Sequence, residues 1–323
     1  KKKNLIKIKK NNYLKSYLLK KKRKKINFKI VQPINILSEN ATPNNWNKII
    51  KCIEENWNNK FSGIIITHGT DTLSYTSSAL SQYFYNFYKP VILVSSDKPL
   101  KDKNSNGKLN FASAIDFIEK IKLPGTYVSY KNPKDNFISF FIGSRIKQIN
   151  SYYNNLNSGF GDPFCILKNK KFSFIKKNNP SILSIKKNGK KNSLNMGFEF
   201  SNKILLIHAY PGLNYDSFNL IKIKPKVILH TLYHSGTSSL QFTDFIKKNK
   251  NKKISFFVAP ISNKKKNIYL SLKILMKLKA KCLKGITVET AFAKLSLAFQ
   301  SFKNEKDRNN FLSNNNFFEK ILF

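Results

Sequence analysis

The chain has 323 residues, enough for two domains with a sizeable core, and its 41% apolar content excludes a wholly disordered protein. No apolar run approaches the roughly 20 residues that cross a bilayer, and three scattered cysteines argue against a disulfide framework or a cysteine-based zinc site. The 59 lysines and arginines stand against 17 acidic residues, a formal net charge of +42 that excludes a near-neutral surface.

The first half of the chain alternates short apolar runs with longer amphipathic stretches, a pattern typical of βαβ units around a parallel sheet. Thr42 as N-cap and Pro43 in the first turn mark the start of the first helix. In chain order the pattern predicts a strand at 28–37, a helix at 42–57, a strand at 61–69, a helix at 72–88, a strand at 90–96, a helix at 109–121, and a hairpin or two further strands at 125–131 and 136–143.

A stretch within 168–203 is polar and rich in Lys, Asn and Ser, and it predicts a connection between two domains. The alternation then resumes with strands at 204–210, 226–233 and 253–260, helices around 215–221, 237–248 and 267–279, and a final helix at 287–302. We therefore predict an α/β fold, in which a doubly wound, mostly parallel sheet domain over residues 1–195 carries the functional site and a smaller α/β domain follows over 196–323.

Thr70 and Asp71 follow the predicted strand at 61–69 and precede a helix. Ligands of doubly wound sheets bind at the carboxyl ends of parallel strands, beside free helix N–H groups. A threonine hydroxyl there can attack a carbonyl once a base removes its proton, and an aspartate can hold an ammonium group. Gly69 allows close backbone approach or an unusual φ angle. The alternative is that Thr70 and Asp71 only cap the helix.

The longer string "THGTDTLSYTSSALS", with "NILSENATPNNW", "KPVILVSSDKPLKDKNSNGKLNFASAI", "AYPGL" and "TVETAFAKL", resembles the L-asparaginase family over about residues 28–300. It is most similar to the cytoplasmic bacterial type and to the asparaginase-like subunit of archaeal glutamyl-tRNA amidotransferase. The resemblance implies hydrolysis of a side-chain amide by a threonine nucleophile without metal or organic cofactor. It implies catalytic roles for Thr70, Asp71 and a lysine, with Ser38, Glu39 and Asp71 binding the substrate's α-carboxylate and α-ammonium groups.

Two departures from the family pattern bear on activity. The N-terminal Thr-Gly-Gly-Thr segment is not found, and because the sequence begins with Lys1 we expect a fragment, a processed product or a mis-set start. In "FFIGSRIKQIN" the ungapped match puts Gln148 at the proton-transfer lysine, with Lys147 one residue earlier. A one-residue shift on a strand turns a side chain to the opposite face, so Lys147 serves only if a bulge restores it.

The histidines give no metal motif. His230 and His234 are four residues apart, but they lie in a predicted loop segment without carboxylates. His68 and His208 are expected to pack at or within strands.

The sequence therefore favours an asparaginase-type amidohydrolase that acts on asparagine in the cytoplasm as a homodimer or homotetramer. The alternatives are an ammonia-supplying subunit of a tRNA-dependent amidotransferase and a catalytically degraded homologue that acts as a scaffold or polyanion binder. We expect no membrane contact and no specific nucleic-acid partner. Nearly every basic residue is lysine, whereas specific nucleic-acid surfaces favour arginine. The charge therefore fits drift towards lysine in an A/T-rich coding sequence at least as well as a functional surface.

Overall fold

The computed structural model describes residues 26–159, 161–189, 194, 197–262 and 268–320. Two β-sheets with helices packed on them confirm the α/β prediction. Residues 1–25, where the Thr-Gly-Gly-Thr segment was expected but not found, lie outside the described residues.

The first sheet has six strands in sequential order. Strands β1 to β3 pair in parallel, and β3 to β6 pair antiparallel, so the hairpin expected after the third strand is present as β3–β4. The strands are β1 Ile64–Thr67, β2 Pro90–Val94, β3 Gly125–Tyr130, β4 Ile138–Ile142, β5 Cys165–Lys168 and β6 Lys171–Phe174.

Every residue of β2 and β3 is buried, as expected for parallel strands covered by helices on both faces. The helices of this part are α1 Pro43–Asn56, α2 Leu73–Tyr83, α3 Gly107–Asp116 and α4 Ile182–Asn188. Helix α1 starts as predicted, with Thr42 at the N-cap: its backbone N–H donates to Asn45 Oδ1 at 2.8 Å. The first turn of α2 follows β1 after only five residues, which places the Thr70–Asp71 corner at the carboxyl end of β1.

The second sheet has four strands, all parallel, in the order β10-β9-β8-β7. Three of these strands were predicted, and the short fourth strand was not. The strands are β7 Ile204–Ile207, β8 Val227–Thr231, β9 Ser255–Ile261 and β10 Lys281–Lys284; the helices are α5 Leu220–Ile223, α6 Leu240–Asn249, α7 Leu270–Lys277, α8 Val288–Ser301 and α9 Glu305–Ser313.

The predicted strand at 28–37 is wrong: this segment contains no regular strand. Five of its apolar side chains are exposed, so its apolar pattern does not reflect burial in a sheet; they are Phe28, Ile30, Val31, Ile36 and Leu37. The segment predicted as an interdomain connection instead contributes β6 and α4 to the first half. Helix 287–302 is confirmed as α8, but α9 follows it.

The last described residues return to the first sheet. Helix α8 packs against α2, and beyond α9 the ring of Phe317 lies where a side chain at Gly125 on β3 would stand. The buried guanidinium of Arg145 donates to the backbone carbonyls of Asn178, Phe318 and Lys320. Division of the chain near residue 195 stays a prediction, and whatever its boundary, the end of the described chain completes the first core.

Lys294 and Glu319 form a buried ion pair, 2.5 Å apart, between α8 and this returning segment. Burial alone would raise the pKa of Glu319, but the Lys294 ammonium and two backbone N–H donors outweigh it and lower that pKa. None of the helices in the described ranges combines the length and apolar character that a bilayer crossing requires.

Candidate functional site

The candidate site is the corner between β1 and α2. The backbone N–H of His68 donates to the Val94 carbonyl at 2.9 Å, which extends the β1–β2 ladder by one residue before the chain turns. Thr70 follows, half-buried, and its carbonyl accepts the Leu73 N–H at 3.4 Å. Asp71 is exposed, so its carboxylate faces solvent at the strand end, where a ligand could reach it.

Ser38 joins this corner from a distant part of the sequence. It is buried in a 3₁₀ turn, Ser38–Asn40, and its hydroxyl donates to Asp71 Oδ2 at 3.1 Å. The Thr72 hydroxyl donates to the Ser38 carbonyl at 2.7 Å, which holds the backbone of the turn against the corner. A hydroxyl donor and a carboxylate acceptor therefore stand side by side, the pair needed to bind a carboxylate and an ammonium group together.

Gly69 makes this approach sterically allowed. A Cβ atom at residue 69 would lie 2.3 Å from Ser38 Oγ and 2.7 Å from Ser38 Cβ, closer than nonbonded atoms can stand. The requirement is therefore for space rather than for an unusual φ angle. Of the two reasons for a glycine here, the structure selects close approach.

Gln148 reaches the same corner from the segment after β4. Its side-chain NH₂ donates to the Asp71 carbonyl, and its Oε1 accepts the Ser74 hydroxyl at 2.9 Å. Its backbone N–H donates at 2.7 Å to Oε1 of Glu289, a buried residue in the first turn of α8. Burial, with a further contribution from the Glu289 charge, raises the pKa of Tyr75 on α2 to about 12.

Lys147 is exposed, and its contacts lie on another side of this segment. Its backbone N–H donates to the Asn157 carbonyl at 3.1 Å, and its Cγ would be 3.2 Å from a Cβ at Gly159. Of the two adjacent residues that the sequence offered for the family lysine, Gln148 is the one in contact with Asp71. Adjacent residues of an extended backbone point to opposite faces, which accounts for the difference.

Glu39, the other predicted substrate ligand, is exposed next to Ser38 in the same turn. The structure therefore gathers Ser38, Thr70 and Asp71 at one corner. The sequence patterns missed the contributions of Thr72, Ser74 and Glu289 to it. Their only sequence signal is that they lie inside the strings that carry the family resemblance.

The histidines do not complete the site. His68 Nδ1 donates to the Gly69 carbonyl at 2.7 Å, and burial lowers the pKa of this histidine. His230 is fully buried, with Nε2 2.7 Å from the Tyr215 hydroxyl, and burial lowers its pKa to about 4. The prediction that His208 packs in the core is wrong, because it lies exposed just after β7. Across the described residues, no three His, Cys, Asp or Glu side chains cluster closely enough to bind a metal ion.

Comparison with known families bears on this corner. Residues 3–160, which include every corner residue except Glu289, match the family model described as "Asparaginase, N-terminal". This match identifies residues 3–160 as an asparaginase N-terminal domain. This asparaginase-family match covers β1, α2 and the segment that carries Gln148.

Curated relatives of the chain include proteins named as a subunit of glutamyl-tRNA(Gln) amidotransferase. The protein from Methanosphaera stadtmanae is 31% identical over 185 residues, 56% of this chain and 40% of the relative. One from Saccharolobus islandicus is 26% identical over 196 residues, 60% of this chain and 42% of the relative. The chain thus matches less than half the length of these relatives.

Solved structures show that the asparaginase-type fold extends over most of the chain. The thermostable L-asparaginase from Thermococcus kodakarensis superposes with a TM-score of 0.72 at 21% identity, covering 90% of this chain and 85% of that one. L-asparaginase I from Vibrio cholerae gives 0.69 at 21% identity, covering 89% and 84%. At this identity the likeness establishes the fold, and the activity has to be argued from the site.

Proposed function

We propose that the protein binds glutamine or asparagine at the Ser38–Asp71 corner and releases ammonia from the side-chain amide. In this proposal it is the ammonia-supplying subunit of a tRNA-dependent amidotransferase, the activity named in its curated relatives. Hydrolysis of free asparagine to aspartate, the activity of its structural neighbours, is the same chemistry without the partner subunit.

The observation that carries the proposal is the contact between the Ser38 hydroxyl and the Asp71 carboxylate at the carboxyl end of β1. The two residues are 33 positions apart in sequence, and Ser38 can approach Asp71 this closely because Gly69 has no side chain that would clash with Ser38. The Ser38 hydroxyl, with Glu39 beside it, would contact the α-carboxylate of the ligand, and Asp71 its α-ammonium group. A ligand held in this way points its side chain away from Asp71, towards whichever group attacks the amide.

Thr70 is the proposed hydroxyl of the corner that acts on the amide carbonyl. Lys147, the base that the family resemblance implies, has its contacts on the other side of its segment and would have to turn towards Thr70 to serve. Hydrolysis consumes one water molecule for each ammonia released and leaves the corresponding acid. We further propose a cytoplasmic location and a homodimer or homotetramer, as the family resemblance implies.

A second function, a catalytically degraded homologue, is favoured by Gln148. A glutamine amide does not take up a proton near neutral pH, and Gln148 stands where the ungapped family match puts the proton-transfer lysine. Such a protein would keep the amino-acid-binding corner and lose hydrolysis.

Ammonia release from glutamine and asparagine, together with calorimetric binding of L-aspartate and L-glutamate, separates the two functions. Wild type should do both, and Ser38→Ala or Asp71→Asn should weaken binding at least about tenfold, because a hydrogen bond to a charged group contributes about 1.5–3 kcal/mol. Thr70→Ala and Lys147→Ala should retain binding and lose ammonia release. Asp244→Asn, which alters an exposed carboxylate on α6, is the matched control and should leave both unchanged.

Binding without ammonia release would select the degraded homologue. If wild type neither binds an amino acid nor releases ammonia, both functions are wrong. Steeply salt-dependent binding to unrelated nucleic acids in that case would select the polyanion-binding alternative.

A further inference from the structure

Glu289 is a buried carboxylate that the proposed chemistry does not use. Its residue is 6% exposed and lies in the first turn of α8, where the helix N-terminus stabilises negative charge. Thr287 caps this end by accepting the Thr290 N–H at 3.2 Å, and Thr290 donates to the Ser144 carbonyl at 2.6 Å. The first turn of α8 is therefore fixed against the segment that leads to Gln148.

The Glu289 carboxylate acts on one residue of that segment. It accepts the backbone N–H of Gln148 at 2.7 Å, a part-buried, charge-assisted hydrogen bond. From this fixed backbone the Gln148 side chain extends to the Asp71 carbonyl and to the Ser74 hydroxyl. A continuous chain of hydrogen bonds therefore runs from α8, through Gln148, to the peptide that carries the Asp71 carboxylate.

We infer that Glu289 is a positioning residue for amino-acid binding: it holds Gln148, and Gln148 in turn holds the Asp71 peptide in the orientation that presents its carboxylate to a ligand. The inference rests on the proposed function for its ligand. Glu289 itself touches neither the ligand nor the Asp71 carboxylate. Its effect on affinity passes entirely through the side chain of Gln148.

This dependence gives a signature that a merely structural role lacks. If Glu289 acts through Gln148, removing either side chain has the same effect on affinity, and removing both adds nothing. If Glu289 only anchors the start of α8, its loss and the loss of the Gln148 side chain act independently, and their effects add. A double-mutant cycle on ligand affinity separates the two cases.

The cycle uses Glu289→Ala, Gln148→Ala and the double variant, with the dissociation constant of L-aspartate measured by calorimetry. Each single variant should weaken binding on the order of five- to tenfold, the effect of losing one or two hydrogen bonds. The double variant should match the weaker-binding single variant within about twofold. Glu289→Gln keeps an oxygen acceptor for the Gln148 N–H and should bind within about threefold of wild type.

A control variant and a hydrogen-exchange measurement test the Glu289–Gln148 link without relying on ligand binding alone. Gln300→Ala, an exposed substitution on the same helix, is the control and should bind like wild type. Hydrogen exchange of the Gln148 backbone amide, followed without ligand, should be slow in wild type and in Glu289→Gln and fast in Glu289→Ala. This exchange result tests the Glu289–Gln148 link even if no amino acid binds.

Additive losses in the cycle, or wild-type affinity in Glu289→Ala, would overturn the inference while leaving the proposed function standing. Unchanged exchange of the Gln148 amide in Glu289→Ala would also overturn it. Absence of amino-acid binding by wild type would instead remove the proposed function. If the exchange result still held in that case, the Glu289–Gln148 link would stand, and the inferred role in amino-acid binding would fall with the proposed function.

Discussion

Gly69→Ala tests whether the corner depends on the close approach of Ser38. The added methyl group would stand 2.3 Å from Ser38 Oγ and 2.7 Å from Ser38 Cβ, so one of the two segments must move. Ser38 is buried, and Thr72 holds its carbonyl, so the turn cannot simply swing outwards. Overpacking of this kind costs roughly 1–3 kcal/mol of folding free energy.

In a chain of this size, a loss of that magnitude should lower the melting temperature by roughly 1.5–4.5 °C. Because the displacement separates Ser38 from Asp71, affinity for L-aspartate should also fall, by about tenfold if one charge-assisted hydrogen bond is lost. Differential scanning fluorimetry and calorimetric titration measure the two effects separately. The control is a second substitution at the other side of the contact.

Ser38→Gly removes both atoms that the new methyl group would meet. The double variant Gly69→Ala, Ser38→Gly should therefore regain most of the lost thermal stability while its affinity stays low, because the hydroxyl is gone. A Gly69→Ala protein that melts and binds like wild type would refute the argument. So would a double variant that is no more stable than Gly69→Ala alone.

The remaining predictions concern buried polar groups away from the corner. Lys294→Met leaves Glu319 buried without its partner and should lower the free energy of unfolding in urea by about 3–5 kcal/mol. Because the pKa of Glu319 is lowered in the folded state, the stability that this carboxylate contributes should be present above its unfolded pKa of about 4.3 and lost as the pH falls through the folded value. Glu319→Gln should reduce that loss of stability in acid. His230 has a folded pKa of about 4, so the unfolded chain binds its proton first and stability should fall by roughly 3 kcal/mol between pH 6.5 and pH 4; an NMR titration that finds His230 charged at pH 5.5 would contradict this. Arg145→Met removes the donor to three backbone carbonyls and should speed proteolysis within 314–320, whereas unchanged cleavage would show that the other contacts suffice.

Much of the fold could be predicted because its parallel strands carry continuous apolar runs. The run around Val91 is fully buried, whereas the run around Ile64 lies in a half-buried strand at the edge of the sheet; both runs predict strands. The same reasoning failed at 28–37, where an equally apolar run is exposed and forms no strand. An apolar pattern indicates that a segment tends to be buried, but it does not indicate which part of the protein the segment packs against.

The short elements β5, β6 and α4 were hidden for a different reason. They are short and lie beside lysine-rich turns, and Lys168 and Lys171 stand opposite each other across the β5–β6 hairpin. Polar composition in this segment therefore indicated a linker, whereas a strand at the edge of a sheet buries only one side. Residues 171–174 are alternately exposed and half-buried, as an edge strand requires.

At the candidate site, the sequence identified Ser38, Thr70 and Asp71 through a family resemblance, and the structure brings Ser38 and Asp71 into contact. The choice between Lys147 and Gln148 could not be made from the sequence, because it depends on which face of an extended segment meets the corner. The link to Glu289 spans 141 residues and passes through a backbone N–H, so no side-chain pattern could reveal it.

The return of residues 314–320 to the first sheet also constrains how the protein is made. Glu319 and Phe317 fill positions beside Lys294 and Gly125, so the core around the first sheet stays incomplete until these late residues have left the ribosome. Domains that emerge first usually fold first. Here the first core is completed only by a segment made after the whole second sheet, so the positions that Phe317 and Glu319 fill stay open while the second sheet is synthesised.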